Sequence, residues 1–341
     1  MMSTLPHCPG FWRYTSHAAC SAVMSATAIA VSPALSDDAL TEPIASRNLS
    51  PLYVNLGIPV MASASSLEAG VWDLAWTLHW ASHAVLESST SQSLELDGET
   101  RRHDFRIQRG LGKGVAVSLN VPYVSHGAGN LDGLIDGWHA FWGMPDGPRG
   151  VQEDNQLRYA YSGASAFEFQ SQSSSIGDVE LGINVELITA ETWTLGALAQ
   201  YKFDTGAPEE FTGSGDSGAS LGVRWSWQSC FFARLSCNIQ AGVTEVGGIG
   251  FDPEADTVTP FAGLSIGWQV ADSFALLAQV DSHDAIYDAQ VLRTNGPPIW
   301  GTLGLRWQPL ERWLIDAQFV EDLAVGSAPD VSFRFALSHS F

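Results

Sequence analysis

Beyond its first forty residues the chain has no uninterrupted apolar run long enough to cross a bilayer as a helix, which excludes a helical membrane protein. It has only 4 cysteines in 341 residues, and none shows zinc-type spacing, so a cysteine metal site is excluded too. Bases are scarce: 16 Lys and Arg stand against 37 Asp and Glu, a formal charge of −21. A chain this acidic is repelled by polyphosphate, and no nucleic-acid partner is expected. No cofactor-binding motif is present, and no cofactor is expected.

The apolar residues near the N-terminus read as a secretory signal. Arg13 supplies positive charge, Ala18 to Val31 form a run of small apolar residues, and Ala34-Leu35-Ser36 offers a cleavage site before Asp37-Asp38. The run is too short and too rich in Ala and Ser for a membrane anchor. His17 stands three residues before Cys20, where a lipoprotein signal needs a large aliphatic residue. Loss of residues 1–36 removes Cys8, Cys20 and one base, Arg13, moving the charge from −21 to −22. It leaves roughly 305 residues, a length suited to a medium barrel. Cys230 and Cys237 remain, flanking a predicted hairpin turn. In an oxidising compartment they either pair or stay as two thiols, and spacing alone does not decide.

What the chain has in abundance is alternation. Val331 to Phe341 places large apolar residues at most odd positions and small or charged ones between, and stops on an aromatic. That describes the closing strand of an outer-membrane barrel. Outer-membrane lipid, and the barrel-assembly machinery acting on this strand, are therefore the expected partners. Period-two reading gives twelve predicted strands near 70–83, 98–109, 114–124, 174–188, 192–204, 217–228, 232–245, 257–270, 273–283, 298–308, 311–321 and 331–341. Their apolar faces are clear: Trp72, Leu74, Trp76, Leu78 and Trp80 share one side of the first, and Leu221, Val223, Trp225 and Trp227 one side of the sixth. Tight connections alternate with long ones at 84–97, 125–173, 205–216, 246–256, 284–297 and 322–330. A soluble sandwich has no reason to keep that rhythm, whereas short periplasmic turns and long outer loops require it. The expected fold is all-β, a transmembrane antiparallel β-barrel of about twelve strands with short periplasmic turns and long extracellular loops. It would comprise a signal peptide at 1–36, a periplasmic N-terminal segment at 37–69, and the barrel at 70–341. Arg47, Asn48, Pro51 and Pro59 argue against a central strand in 37–69. An ordered periplasmic lead-in is expected there, with entry into the lumen as a plug the alternative.

In this register no charge falls on the lipid face of a strand centre, where Arg or Lys would cost roughly 2–4 kcal/mol. The expected lumen charges are Asp73, Arg102, Asp104, Arg106, Glu180, Glu186, Lys202, Asp204, Arg224, Arg234, Asp281, Arg306, Arg312, Asp316 and Arg334. Groups of opposite sign this close should pair into a structural network, with a solute-selecting lining as the alternative.

The 125–173 loop is the richest segment. Leu131, Leu134, Ile135, Trp138 and Phe141-Trp142 recur at helical spacing, with Asp132, Asp136 and His139 on the other face. A short amphipathic helix is expected, folding into the barrel mouth as a lid or constriction, with His126, Asp132, Asp136, His139 and Arg149 as its solute contacts. A metal or acid–base site there is disfavoured, since the acids lie four apart in a Gly-rich loop with no second ligand motif. Arg47-Asn48-Leu49-Ser50-Pro51, Gly57-Ile58-Pro59, Asp97-Gly98-Glu99-Thr100 and the stretch from His126 through His139 to Arg149 resemble the proteobacterial family known as domain of unknown function 3187. The resemblance spans nearly the whole mature chain and implies an outer-membrane protein, without a substrate or a catalytic residue.

Three functions compete: a narrow channel or facilitator for small polar solutes with the 125–173 loop as constriction, a packed structural or adhesive barrel, and an outer-membrane lipid hydrolase. The last needs a Ser beside a His. Ser125-His126 and Ser282-His283 are adjacent in strands and so point to opposite faces. The channel is the leading expectation, and catalysis is not expected.

Overall fold

The computed structural model describes residues 39–143, 147–163, 165–247, 255–287, 291, 296–324 and 328–341; the expected signal segment lies outside them. The strands in chain order are β1 Trp72–Ser88, β2 Ser93–Gly112, β3 Val115–Gly127, β4 Arg158–Ser162, β5 Ala166–Phe169, β6 Ser173–Ile176, β7 Glu180–Thr189, β8 Trp193–Lys202, β9 Gly218–Gln228, β10 Leu235–Glu245, β11 Val258–Ala271, β12 Phe274–His283, β13 Ile299–Leu310, β14 Trp313–Asp322 and β15 Val331–Ser340. Each barrel strand pairs antiparallel with its neighbours in sequence. β1 pairs with β15 from Asp73↔Ser340 to Ser82↔Val331 and also with β2, so the sheet closes on itself. Without the short strands β4, β5 and β6, which extend the wall at the loop end, the closed barrel has twelve strands.

Alternation explains the wall. Leu74, Trp76, Leu221, Leu264, Leu303, Phe335 and Leu337 are large, apolar and exposed on its outer face. Between them, Thr77, His79, Asp104, Ser220, Gln240, Gln279 and Arg334 are buried on the inner face. Such a surface is stable only with lipid outside.

Two strand expectations differ. The stretch 174–188 is broken into β6 and β7, both paired with β3. Pro122 has no N–H to continue the ladder, and its carbonyl accepts from Gly177 N at 2.9 Å. The resulting bulge turns Asp178 into the interior. The first hairpin is also longer than expected, with β1 and β2 running to Ser88 and from Ser93. Toward the loop end the inner side also becomes apolar: Val85, Leu94 and Leu96 are buried there.

The larger correction concerns residues 39–69. They are not a periplasmic lead-in but a hairpin threaded through the lumen. A 3-10 turn at Ala39–Thr41 lies against β11, β12 and β13. The rising limb bonds Thr41 to Ser236 (2.8 Å), the Ile44 backbone to both ends of the Gln279 amide (2.8 Å each), Ser46 to Thr302 (3.0 Å) and Asn48 to His283 (3.2 Å). At the apex Arg102 donates to the Val54 carbonyl (3.0 Å) and Asn55 to that of Phe211 (2.6 Å). The descending limb gives the carbonyls of Gly57 to Gln200 (2.8 Å), Pro59 to Gln240 (3.0 Å) and Val60 to Arg224 (3.2 Å). Glu186 then accepts from Ser66 N at 2.6 Å, and Gly70 N reaches Gly110 O at 2.9 Å before β1 begins. The segment has no strand partner, so its backbone groups must be met by side chains. Inward glutamines of the wall serve that purpose. Gly110 permits the close approach, since a Cβ there would lie 2.0 Å from the Glu68 carbonyl oxygen.

Candidate functional site: the lumen and its N-terminal hairpin

Between the hairpin and the wall lies a cavity of about 430 Å³. Its lining runs from Glu68, Val71 and Phe341 at the turn end to Asp104 and Glu180 at mid-wall. Above it the lumen is filled. Leu52, Tyr53 and Leu56 at the hairpin apex pack with Val85, Leu94, Leu96, Leu157, Tyr159, Tyr161, Val246, Ile286 and Tyr287 from the strand tops and loops. Tyr53 meets the rings of His283 and Tyr287 at centroid distances of 4.8 and 5.2 Å. A small space of about 30 Å³ lies beside Arg47, Tyr53, Asp281 and His283. The loop end is thus sealed by an apolar cluster centred on the hairpin.

Most of the lumen charges pair as a network, while Asp281 is met by Gln279 (2.7 Å). Arg102, 1% exposed, reaches Asp104 (3.0 Å) and Glu180 (3.1 Å); Arg47 of the hairpin joins Glu180 at 2.6 Å, and His79 lies 3.3 Å from Asp104. Lower down, Arg306 grips Asp316 with two bonds of 2.7 and 3.0 Å, and Arg334 adds a third at 3.1 Å. Both arginines also hold the hairpin, Arg306 through the carbonyls of Ala39 and Glu42 and Arg334 through that of Ala45. Arg106 pairs with Asp73 at 3.2 Å. These bonds desolvate charges only where each finds a partner, as burial demands. At the loop end, Asp178 takes the Lys202 ammonium at 2.9 Å and backbone N–H groups of Thr205, Gly206 and Ser214. Burial alone would raise this carboxyl, but Lys202 and the backbone donors hold it below the usual carboxylate range.

Three expected lumen charges are not there. Asp204 is exposed in the loop after β8; Arg234 lies in the β9–β10 turn, paired with exposed Asp272 at 2.9 Å; Arg312 sits in the β13–β14 turn. Each falls past a strand end, where side chains no longer alternate across the wall. Cys230 and Cys237 form a disulfide across the β9–β10 turn, with Cα atoms 6.0 Å apart.

The helical part of the 125–173 loop does not enter the mouth, although Leu157, Tyr159 and Tyr161 of the same loop join the apolar cluster there. Its helix, α1 (Asp132–Trp142), forms as the spacing predicts. Its buried residue Ile135 and the preceding Leu131 pack with Val331 against Trp80, Phe319 and Phe333, which belong to the outward face of β1, β14 and β15. The helix therefore lies on the outside of the barrel, with Leu134, Trp138, Phe141 and Trp142 exposed. The hairpin apex and its apolar cluster occupy the loop end of the lumen, and an apolar stripe finds better burial on the aromatic outer wall. Asp132 and Arg149 meet at 2.7 Å, and Arg149 also binds Asp330 (2.9 Å) and Ser82 (2.8 Å). Asp136 and His139 ride on α1, outside. His126 alone faces inward, bonded to Thr100 (3.0 Å), the Tyr159 hydroxyl (3.2 Å) and the Phe211 carbonyl (2.9 Å). These five residues do not form one site. Ser125 bonds the Arg101 carbonyl and His283 bonds Asn48, so neither Ser-His pair assembles. Among the described residues no cluster of metal-type side chains converges.

Reading the sequence kept entry of this segment into the lumen only as the alternative, and missed the glutamines that hold it. Their signal was present: Gln200, Gln240 and Gln279 all occupy inward positions at mid-wall, where a solvent-filled lumen has no need of amides.

The family described as protein of unknown function (DUF3187) matches over residues 19–341. The chain belongs to this family. No curated protein matches it significantly. Among solved structures, an outer membrane channel of the COG4313 group from Pseudomonas putida F1 is similar, with a TM-score of 0.53 and 10% identity over 82% of this chain and 98% of that one. The NanC porin scores 0.44 at 10% identity, covering 79% of this chain and 98% of its own. The KdgM porin scores 0.42 at 8% identity, covering 79% and 99%. At these identities the first likeness concerns the fold alone.

Proposed function

We propose that this family member is an outer-membrane channel for small polar solutes, and that its constriction is the 39–69 hairpin rather than the 125–173 loop. The observation that carries this reading is the charge-lined cavity of about 430 Å³, which is closed at the loop end by the hairpin apex. A barrel built only as a scaffold has no need of a hydrated, charge-lined cavity of this size. The charged lining suits hydrated polar solutes and is hostile to apolar ones.

The test is planar-bilayer conductance of the refolded protein. Ser46→Cys and Thr302→Cys, whose hydroxyls are 3.0 Å apart, would tether the rising limb to the wall. Conductance should be low in the tethered protein and rise on reduction, and rise further in a variant lacking 39–66. A variant lacking 127–149 should conduct like the wild type. Opening on loss of 127–149, with no effect of the tether, would overturn the assignment. Silence in every folded variant would leave the packed barrel as the better reading.

A further inference from the structure

Every lumen arginine but one has a carboxylate. Arg306 and Arg334 share Asp316, Arg47 and Arg102 share Asp104 and Glu180, and Arg106 has Asp73. Arg224 on β9 has none among the described residues. Its guanidinium donates to Gln240 Oε1 (2.7 Å), Asn184 Oδ1 (3.0 Å) and the Val60 carbonyl (3.2 Å), all neutral acceptors. Glu186, two residues along β7 from Asn184, is engaged by Ser66 and Thr189 instead. A guanidinium has five N–H donors, so two remain on Arg224. It is half-buried and lines the cavity. Arg106 on β2 lines the same cavity, so a second positive charge faces it. The Asp73 that balances Arg106 is also held by Ser340, and Arg106 Nε is buried without a hydrogen-bond partner. Ser118, Asn120 and Gln200 add neutral polar groups to this stretch of lining.

A fixed positive charge out of bulk water, without a counter-ion and with donors left over, is costly unless an anion completes it. We propose that Arg224 and Arg106 form a binding site for a small carboxylate inside the lumen. The fork of Arg224 would take the carboxylate oxygens on its two free N–H groups, with Arg106 supplying long-range attraction. The site is open to water on the cavity side, so binding should be weak and exchange fast, as transit requires. The proposal rests on the channel reading and names its solute class.

The experiment is saturation-transfer NMR of the full mature protein in detergent, with acetate as probe and methylammonium as its cationic counterpart at equal ionic strength. Acetate should give a saturable signal and methylammonium none. R224Q should weaken acetate at least tenfold, R224K should fall between, and R106Q should weaken it by a smaller factor. Heat-modifiable migration of each variant would establish that its barrel is folded. Equal acetate affinity in wild type, R224Q and R106Q, or no saturable acetate signal, would overturn the site. Binding is read at equilibrium and needs no conduction. Binding without conductance therefore upholds the site while removing the channel, and conductance without binding does the reverse.

Discussion

Replacing Asp178 by Asn tests whether the loop-end seal depends on one buried charge pair. Lys202 is 2% exposed, and apart from Asp178 its ammonium meets, among the described residues, Ser214 Oγ and the Asp216 carbonyl. Its stem covers the hairpin apex so closely that a Cβ on Gly57 would come within 2.6 Å of Lys202 Cδ. Removing one partner of a buried pair costs about 3–5 kcal/mol, because the other charge stays behind. Applied to local opening, that is roughly a hundred- to several-thousand-fold loss of amide protection. The loss should fall on residues 203–217 and 55–58, read by hydrogen exchange in detergent, while the mid-wall strands stay protected. Lys202→Met should cost less, since Asp178 keeps backbone donors from Thr205, Gly206 and Ser214. The pH sign follows from the lowered carboxyl. The folded value lies below the unfolded one, so the stabilisation is present above the unfolded carboxylate pKa and is lost as pH falls through the folded value. Wild type and Asp178→Asn should therefore converge in acid. Equal protection in the two proteins at neutral pH would refute the reasoning.

Gly110→Val would drive a side chain into the Glu68 carbonyl, 2.0 Å from an ideal Cβ, and should abolish refolding to the heat-modifiable form, whereas Gly133→Val on exposed α1 should not. Arg149→Ala removes bonds to Asp132, Asp330 and Ser82 and should expose the loop around 143–157 to protease without changing the barrel core. A nitroxide placed by Phe141→Cys should collide with oxygen in preference to a water-soluble nickel chelate, because Phe141 is 76% exposed on a helix seated on the lipid-facing wall; the opposite preference would place α1 in water. Non-reducing peptide maps should recover Cys230 and Cys237 in one linked fragment.

The barrel was legible because lipid imposes a period-two rule on every residue that touches it. Trp76, Leu221 and Phe335 obey that rule, and so do the charges opposite them. Where the wall leaves the bilayer the rule lapses. Val85, Leu94 and Leu96 turn inward as apolar residues, so the top of the first hairpin read as a loop. Asp204, Arg234 and Arg312 read as lumen charges for the same reason, one residue or two past the last pleat. The helix was legible from its spacing, but its destination was not, because Leu131 and Ile135 would suit any apolar surface and only the occupied mouth decides which one. The hairpin was least legible. A segment held by side chain-to-backbone bonds carries no periodicity of its own, and its partners lie as far as 289 residues away, as between Arg334 and Ala45.

The place of α1 bears on how the barrel is completed. Its seat is made of Trp80 from the first strand together with Phe319 and Phe333 from the last two. Arg149 likewise spans from Ser82 on the first strand to Asp330 just before the last. Neither seat exists until the two ends of the chain have met and β1 has zipped onto β15. The loop therefore acts as a clasp across the one seam that joins distant parts of the sequence. It fastens only after closure, and it holds shut the junction at which an unfinished barrel would come apart.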